Sequence, residues 1–337
     1  MTKKGLKNPS KSSSSTVSPQ LMIKMYQDMI FYRKIEERIN LAYTQQKFSG
    51  FCHLHIGQEA LCVGTQTNLR PDDYMISGYR SHTQAIAKGI PPEQVVAELF
   101  GKVDGCSRGK GGSMHMFSAE HRFLGGHGIV GGQVPLAAGV GFAIKYRDGD
   151  QVIVCYLGDA AVNQGQFYEA LNLAAIWNLP CLFIIENNRY GMGTAISRTT
   201  SVKNLYERAL AFDMKHSAVN AMDVVEVHEH LSGIISEMRL DKKPYLLEAH
   251  CYRYKGHSVS DPGTYRTKEE VLEYQKRDPI LTHGARLVAA GIATEKDLKS
   301  WDQEAKDRAK AAENFADQAT LPEVQEAYSH VYPEPIG

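Results

Sequence analysis

Residues 151–157 (QVIVCYL) and 181–185 (CLFII) are unbroken apolar runs rich in β-branched side chains, and Gly158-Asp159 and Asn187-Asn188 follow their ends. Runs of this length and composition predict strands buried on both faces, as in a parallel sheet. Between them, Phe167, Ala170, Leu171, Ala174 and Trp177 fall on one helical face, so the unit reads as strand, crossover helix, parallel strand. Ligands of such sheets bind beyond the carboxyl ends of the strands. Mg²⁺ is small and hard and takes one or two side-chain oxygens while phosphates and water complete its shell. The Asp159 carboxylate and the Asn188 carbonyl oxygen suit that task, and together they predict a metal-diphosphate site.

Outward from this unit the pattern predicts an α/β fold, a mostly parallel sheet with helices on both faces plus a C-terminal helical annex. An entry helix is expected over 21–46, a loop over 48–56, a helix over 59–68, a turn and short strand over 70–78 and a helix over 92–100. The Gly-rich stretch 101–132 cannot be regular throughout, and a loop of that length inside a compact domain is usually functional. A helix follows at 134–146; beyond the cofactor unit come a strand at 223–227, a helix at 228–240 and a strand at 244–252. Charged amphipathic helix fills 268–328. Residues 1–19, rich in Lys and Ser and free of acids, read as a disordered leader. The expected organisation is therefore a binding domain over 20–267 with an extension, 268–337, packed on it.

The 337 residues carry 38 basic and 38 acidic side chains. A formal net charge of zero leaves no basic footprint for nucleic acid or anionic membrane. No stretch has the length of a transmembrane helix. Cys52, Cys62, Cys106, Cys155, Cys181 and Cys251 show no C-x-x-C spacing, and several lie in apolar runs, as reduced core residues do. A mitochondrial presequence would carry Arg, and none precedes Arg33, so a bacterial cytoplasm is the expected location.

Three patterns point elsewhere and fail on context. Gly126-His127-Gly128-Ile129-Val130-Gly131 matches G-x-G-x-x-G, but no β-run is evident before it, which argues against a dinucleotide site. Residues 105–110 lack the spacing of a P-loop. His53-Leu54-His55 and His228-Glu229-His230 have no third ligand at a zinc spacing, so structural use is expected.

Six motifs stand in one order: 50–60 (GFCHLHIGQEA), 78–82 (GYRSH), 109–116 (GKGGSMHM), 125–130, 186–193 and 252–267. With the Gly-Asp and Asn-Asn pairs, they resemble the alpha subunits of the thiamine diphosphate-dependent first components of 2-oxo acid dehydrogenase complexes, the pyruvate type above all, from about Gln20 to Pro335. Ala160 departs from the pattern, which usually has Gly there. A Cβ would then approach the diphosphate, and a demand for positive φ would be a worse problem. The departure leaves open a non-catalytic assembly subunit, and acetoin and branched-chain 2-oxo acid enzymes share much of the signature.

The resemblance implies thiamine diphosphate and Mg²⁺ as cofactors. It places Tyr79 and Arg80 on the phosphate, Gly128 and Val130 at the cofactor through their backbone, and Asp159, Ala160 and Ala161 in the diphosphate turn. Asp159, Asn188 and the Tyr190 carbonyl would hold the metal. It also puts His53 on the substrate side and His257 in a mobile loop at the diphosphate, beside Ser258, a serine phosphorylated in mitochondrial members. The implied partners are a beta subunit in a heterotetramer of two alpha and two beta chains, which brings the activating glutamate, the lipoyl domain of dihydrolipoyl acetyltransferase, and pyruvate as substrate. Glu59 and Glu186 read as structural groups, and small-residue helices over 134–146 and 166–177 would suit subunit packing.

Overall fold

In the computed structural model the two apolar runs are neighbouring parallel strands, with Ile153 opposite Cys181 and Gly158 opposite Glu186. Residues 17–330 are described; residues 1–16 of the expected leader and residues 331–337 lie outside the described residues. The chain runs through helices α1 (Pro19–Thr44) and α2 (Glu59–Gln66), strand β1 (Tyr74–Gly78), helices α3 (His82–Ala87) and α4 (Pro92–Leu99), and strand β2 (Phe123–His127). It continues through α5 (Gln133–Tyr146), β3 (Ile153–Gly158), α6 (Gly165–Trp177) and β4 (Cys181–Asn187). A small hairpin of β5 (Tyr190–Gly191) and β6 (Thr194–Ala195) precedes β7 (Lys215–Asn220), α7 (Val224–Asp241) and β8 (Tyr245–His250). Helices α8 (Lys268–Gln275), α9 (Pro279–Ala289) and α10 (Glu295–Gln318) follow.

Strand alternation divides the core between two faces of the sheet. Ile153, Cys155 and Leu157 pack with Cys181, Phe183 and Ile185 against Val134 of α5 and Phe167 and Leu171 of α6. Their sequence neighbours Val154, Tyr156, Leu182 and Ile184 point the other way, into a cluster with Leu231 of α7 and Ala309 and Ala312 of α10. Burying each large apolar side chain contributes about 1.5–3 kcal/mol, which is why such continuous runs are tolerated only in a covered sheet. Among the described residues no helix is long and apolar enough to cross a membrane.

The six-stranded sheet has the order β2-β1-β3-β4-β8-β7, and every neighbouring pair is parallel. From β1 the chain moves to β2 on one side, then crosses to β3 on the other and goes on to β4. The connections after β1 and β3 therefore part in opposite directions, leaving a crevice at their carboxyl ends, where open α/β sheets bind ligands.

Three local expectations are corrected. The strand expected at 223–227 is the start of α7: Asp223 caps it, accepting from the N–H groups of Val225 and Glu226 at 3.0 and 3.3 Å, and that cap outweighs the β-branched run. The strand lies just before it, at Lys215–Asn220, whose polar composition hides it. A strand also precedes the Gly-rich turn at 128–131, since Phe123–His127 pairs with β1; Gly125, at φ +97°, faces the Phe117 ring, which leaves no room for a Cβ. The β-run whose apparent lack argued against a dinucleotide site is thus present as β2, and the turn opens toward the crevice. Lastly, Trp177 leaves the buried face of α6 and is exposed.

Trp177 belongs to an uncovered apolar surface. Leu136, Phe142 and Tyr146 of α5 and Leu173, Ile176 and Trp177 of α6 are all exposed, Tyr146 by 83% and Ile176 by 62%. The rings of Phe142 and Trp177 lie 5.4 Å apart, so the two helices present one patch.

Candidate active site

The crevice holds a cavity of about 200 Å³ bounded by Tyr79 and Arg80 after β1, by Asp159 after β3, by Asn188 after β4, and by Arg253 and His257 beyond β8. Val130, Ala160, Ala161 and Tyr190 also line it. A second cavity of about 540 Å³ opens beside it, sharing Tyr79, Val130 and His257 and adding His53 and Gly128. The structure thus gathers every site residue expected from the sequence, with Gly128 and His53 at the wider mouth rather than in the inner cavity.

Two cations dominate the inner cavity. Arg80 is buried and donates to the carbonyl oxygens of Leu54 and His257 at 2.6 and 2.8 Å. Arg253, also buried, donates to the Met192 and Lys255 carbonyls and to the Tyr265 hydroxyl. Neither has an ion pair with a carboxylate among the described residues. Burial, and after it the Arg253 guanidinium, pushes Arg80 down to about 10. Desolvating two neighbouring cations costs several kcal/mol each unless an anion compensates them. The site is built for one.

The imidazoles answer to the same field. Burial pushes His53 down to about 2, with Arg80 and then His257 adding to the effect. His257 falls to about 4, through burial and then Arg80 and Arg253. Both rings are therefore neutral at pH 7, and the Nδ1 atoms of both are buried without a hydrogen-bond partner. The His53 ring sits 4.5 Å from that of Tyr79 and 5.0 Å from that of His257, centroid to centroid.

Asp159 is the acid that follows β3 at the crevice. Its Oδ1 accepts from the Ala160 N–H at 3.1 Å, while Oδ2 is buried and unpartnered. Burial raises its carboxyl to about 6. Asn188 donates its amide to Gln58 at 3.0 Å, leaving its carbonyl oxygen only a long contact from the Tyr190 N–H. An orphaned carboxylate oxygen, an amide oxygen and a nearby main-chain carbonyl form a hard donor set that suits Mg²⁺ when phosphate oxygens complete it. Among the described residues no group of three or more His, Cys, Asp or Glu could hold a metal. His228 and His230 instead bond Thr67 and Ser217 at 2.8 and 2.7 Å.

Ala160 sits at φ −77°, ψ −25°, ordinary right-handed backbone, so the position makes no demand for glycine. Its methyl lies against Gly191, where an added Cβ would come within 2.3 Å of it. The departure from Gly is absorbed by the hairpin rather than by the cavity, and the warrant for a subunit without cofactor binding disappears.

The loop carrying His257 is held from both ends. Asp261 accepts from the His257 N–H at 2.5 Å and the Tyr265 hydroxyl at 2.9 Å. The Arg266 guanidinium spans the carbonyls of Arg253, Tyr254 and Lys255. Ser258 is nearly buried, its hydroxyl 3.0 Å from that of Ser260. Behind the site, Glu59 pairs with Arg33 at 2.5 Å and accepts from the Gly57 N–H, and Glu186 meets His55 at 3.0 Å, as structural groups do. Sequence reading passed over Arg253. Its one signal was an Arg immediately after an apolar strand, four positions before His257.

The family model described as Dehydrogenase E1 component matches residues 27–325. A pyruvate dehydrogenase E1 component subunit alpha of Rickettsia bellii (strain RML369-C) is 43% identical over 310 residues, covering 92% of this chain and 95% of that protein. The protein of the same name from Zymomonas mobilis is 46% identical over 312 residues, 92% of this chain and 88% of its own. A mitochondrial relative from Sminthopsis macroura is 42% identical over 312 residues, 92% and 85% of the two chains.

Proposed function

The chain belongs to the dehydrogenase E1 component family, and from that premise we propose that it is the alpha subunit of a pyruvate dehydrogenase that uses thiamine diphosphate and Mg²⁺. The observation that carries this reading is the pair of buried guanidiniums without carboxylate partners beside the unpartnered Asp159 oxygen. Arg80 and Arg253 would grip the diphosphate as forks, with Tyr79, His257 and the backbone at Gly128, Val130, Ala160 and Ala161 completing its cradle. Asp159 Oδ2, the Asn188 amide oxygen and the Tyr190 carbonyl would hold Mg²⁺, which favours the ionised form of the buried Asp159.

When bound, thiamine diphosphate supplies the nucleophilic carbon and the electron sink for decarboxylation of a 2-oxo acid. The chain's own residues hold it and shape the substrate's approach. His53, neutral at pH 7, faces the wide mouth on the substrate side, where it can accept or donate one hydrogen bond without adding charge. The cofactor's aminopyrimidine needs a carboxylate to activate it, and Glu186, the acid of the inner wall besides Asp159, is already paired with His55. That role falls to a beta subunit covering the mouth, in a heterotetramer of two alpha and two beta chains. The acetyl group would then pass to a lipoyl group of the dihydrolipoyl acetyltransferase. Residues 20–267 serve as the cofactor-binding domain and 268–337 as an extension packed on it; the sharing of one core cluster by Ile35 and Ile39 of α1 with Ala309 and Ala312 of α10 supports that packing.

The test is oxidation of 2-oxo acids by the chain copurified with its beta partner, with thiamine diphosphate, Mg²⁺ and an artificial electron acceptor. Pyruvate is expected to outrun 3-methyl-2-oxobutanoate and acetoin, and Asp159→Ala to abolish turnover. Preference for either other substrate would discard the pyruvate assignment.

A further inference from the structure

The Gly-rich stretch at 105–116 contributes no residue to the inner cavity, and the structure shows what it folds around. Glu98, buried at the end of α4, accepts four main-chain N–H groups. Those of Ser107 and Gly109 reach Oε2 at 2.8 and 2.9 Å, and those of Gly111 and Gly112 reach Oε1 at 2.7 and 3.1 Å. Successive backbone N–H groups form a concavity suited to an anion, and here the anion is the chain's own carboxylate. The closeness of the wrap explains its glycines: a Cβ at Gly105 would lie 2.3 Å from Glu98 Oε2, and one at Gly111 would lie 1.9 Å from the His115 carbonyl oxygen. The stretch is a moulded support, and it delivers Ser113.

Ser113 is buried. Its Oγ lies 2.8 Å from His82 Nε2, and His82 Nδ1 lies 3.2 Å from Glu36 Oε2; both of those partners are completely buried. A carboxylate only accepts, so it orients the imidazole with Nδ1–H toward Glu36, and Nε2 then takes the serine hydroxyl hydrogen. The remaining Ser113 lone pairs face the His53 N–H, which makes a long contact with Oγ at 3.4 Å. His53 is thus held from behind through its backbone, while its ring is presented forward between Tyr79 and His257.

We propose that Ser113 is a positioning residue for His53, its hydroxyl oriented by the Glu36–His82 pair and its place set by the loop wrapped on Glu98. The proposal rests on the reading of His53 as a substrate-side residue. It requires that the contribution of Ser113 vanish once the His53 ring is gone, which a double-mutant cycle measures.

The cycle comprises wild type, Ser113→Ala, His53→Ala and the double variant, each assembled with the beta subunit and assayed with pyruvate at saturating cofactor. Ser113→Ala is expected to lower kcat/KM about tenfold, as loss of a positioning hydrogen bond does, with the thiamine diphosphate Kd within about twofold of wild type. In the His53→Ala background it is expected to cost nothing more. Equal losses in both backgrounds, no loss at all, or a loss that follows cofactor affinity would each overturn the proposal. If His53→Ala leaves kcat/KM untouched, the reading of His53 itself falls, a different failure from additive losses. Should Ser113→Ala not assemble, His82→Gln, approached from the far side of the hydroxyl, must reproduce the same pattern or the proposal fails.

Discussion

At the scale of single residues, the cavity's character is set by charges without partners. Arg80 was legible because it sits in a recognisable Tyr-Arg pair at a strand end, whereas nothing local distinguishes Arg253 from any arginine at the start of a loop. Only the fold places the two side by side, each bonded to neutral oxygens. Replacing Arg253 with Met is expected to raise the Kd for thiamine diphosphate about 10- to 100-fold, the loss of a charge-assisted fork. Lys at that position, which keeps the charge and loses the fork, should fall between, and titration calorimetry on the assembled complex ranks the three. The histidines bring a pH dependence. His257 titrates near 4 when folded and 6.5 when unfolded, so the unfolded chain binds more protons between those values. Stability is therefore full above 6.5 and declines as pH falls toward 4. Asp159, raised from 3.8 to about 6, acts in the opposite sense over much of that range. The quantity to read is consequently a difference: without cofactor, Tm of His257→Asn should decline less steeply from pH 6.5 to 4.5 than Tm of wild type. Parallel slopes in calorimetry would sink this account.

At the scale of elements, legibility followed burial. The runs at β3 and β4 announce themselves because both faces of each strand are covered, so every residue is apolar and no alternation blurs the pattern. Strand β2 escaped notice because its close approach to Phe117 requires glycine where a strand would otherwise carry bulk. Strand β7 escaped because it lies at the edge of the sheet and its side chains are largely polar. Packing between elements explains Ala160 as well. Gly191 stands on the β5–β6 hairpin at a distance that admits the Ala160 methyl and nothing more. Gly191→Ala should therefore destabilise the chain by about 1–3 kcal/mol through overpacking. Adding Ala160→Gly should recover most of that loss. Thermal unfolding of the two single variants and the double variant checks the coupling, and additive effects would refute it.

At the scale of the whole molecule, the site is half built. The inner cavity of about 200 Å³ can take a diphosphate, but the mouth beside it is open, with Phe51 and Met192 exposed at its rim. The chain alone is accordingly expected to show no turnover of pyruvate at any cofactor concentration, with activity appearing on titration of the beta subunit. Turnover by the isolated chain would overturn the two-subunit reading. A single sequence displayed the diphosphate end of the site because those residues share one sheet edge; on the proposed reading the remainder belongs to a second subunit, which one sequence does not contain. The bare apolar patch on α5 and α6 carries the same incompleteness into the life of the cell. A newly made copy that meets no companion exposes Ile176, Trp177 and Tyr146 to other apolar surfaces around it. If the companion chain covers this patch, balanced synthesis of the two chains would keep it from self-association. Expression of this chain by itself should accumulate in the insoluble fraction, and coexpression with its companion should bring it into solution.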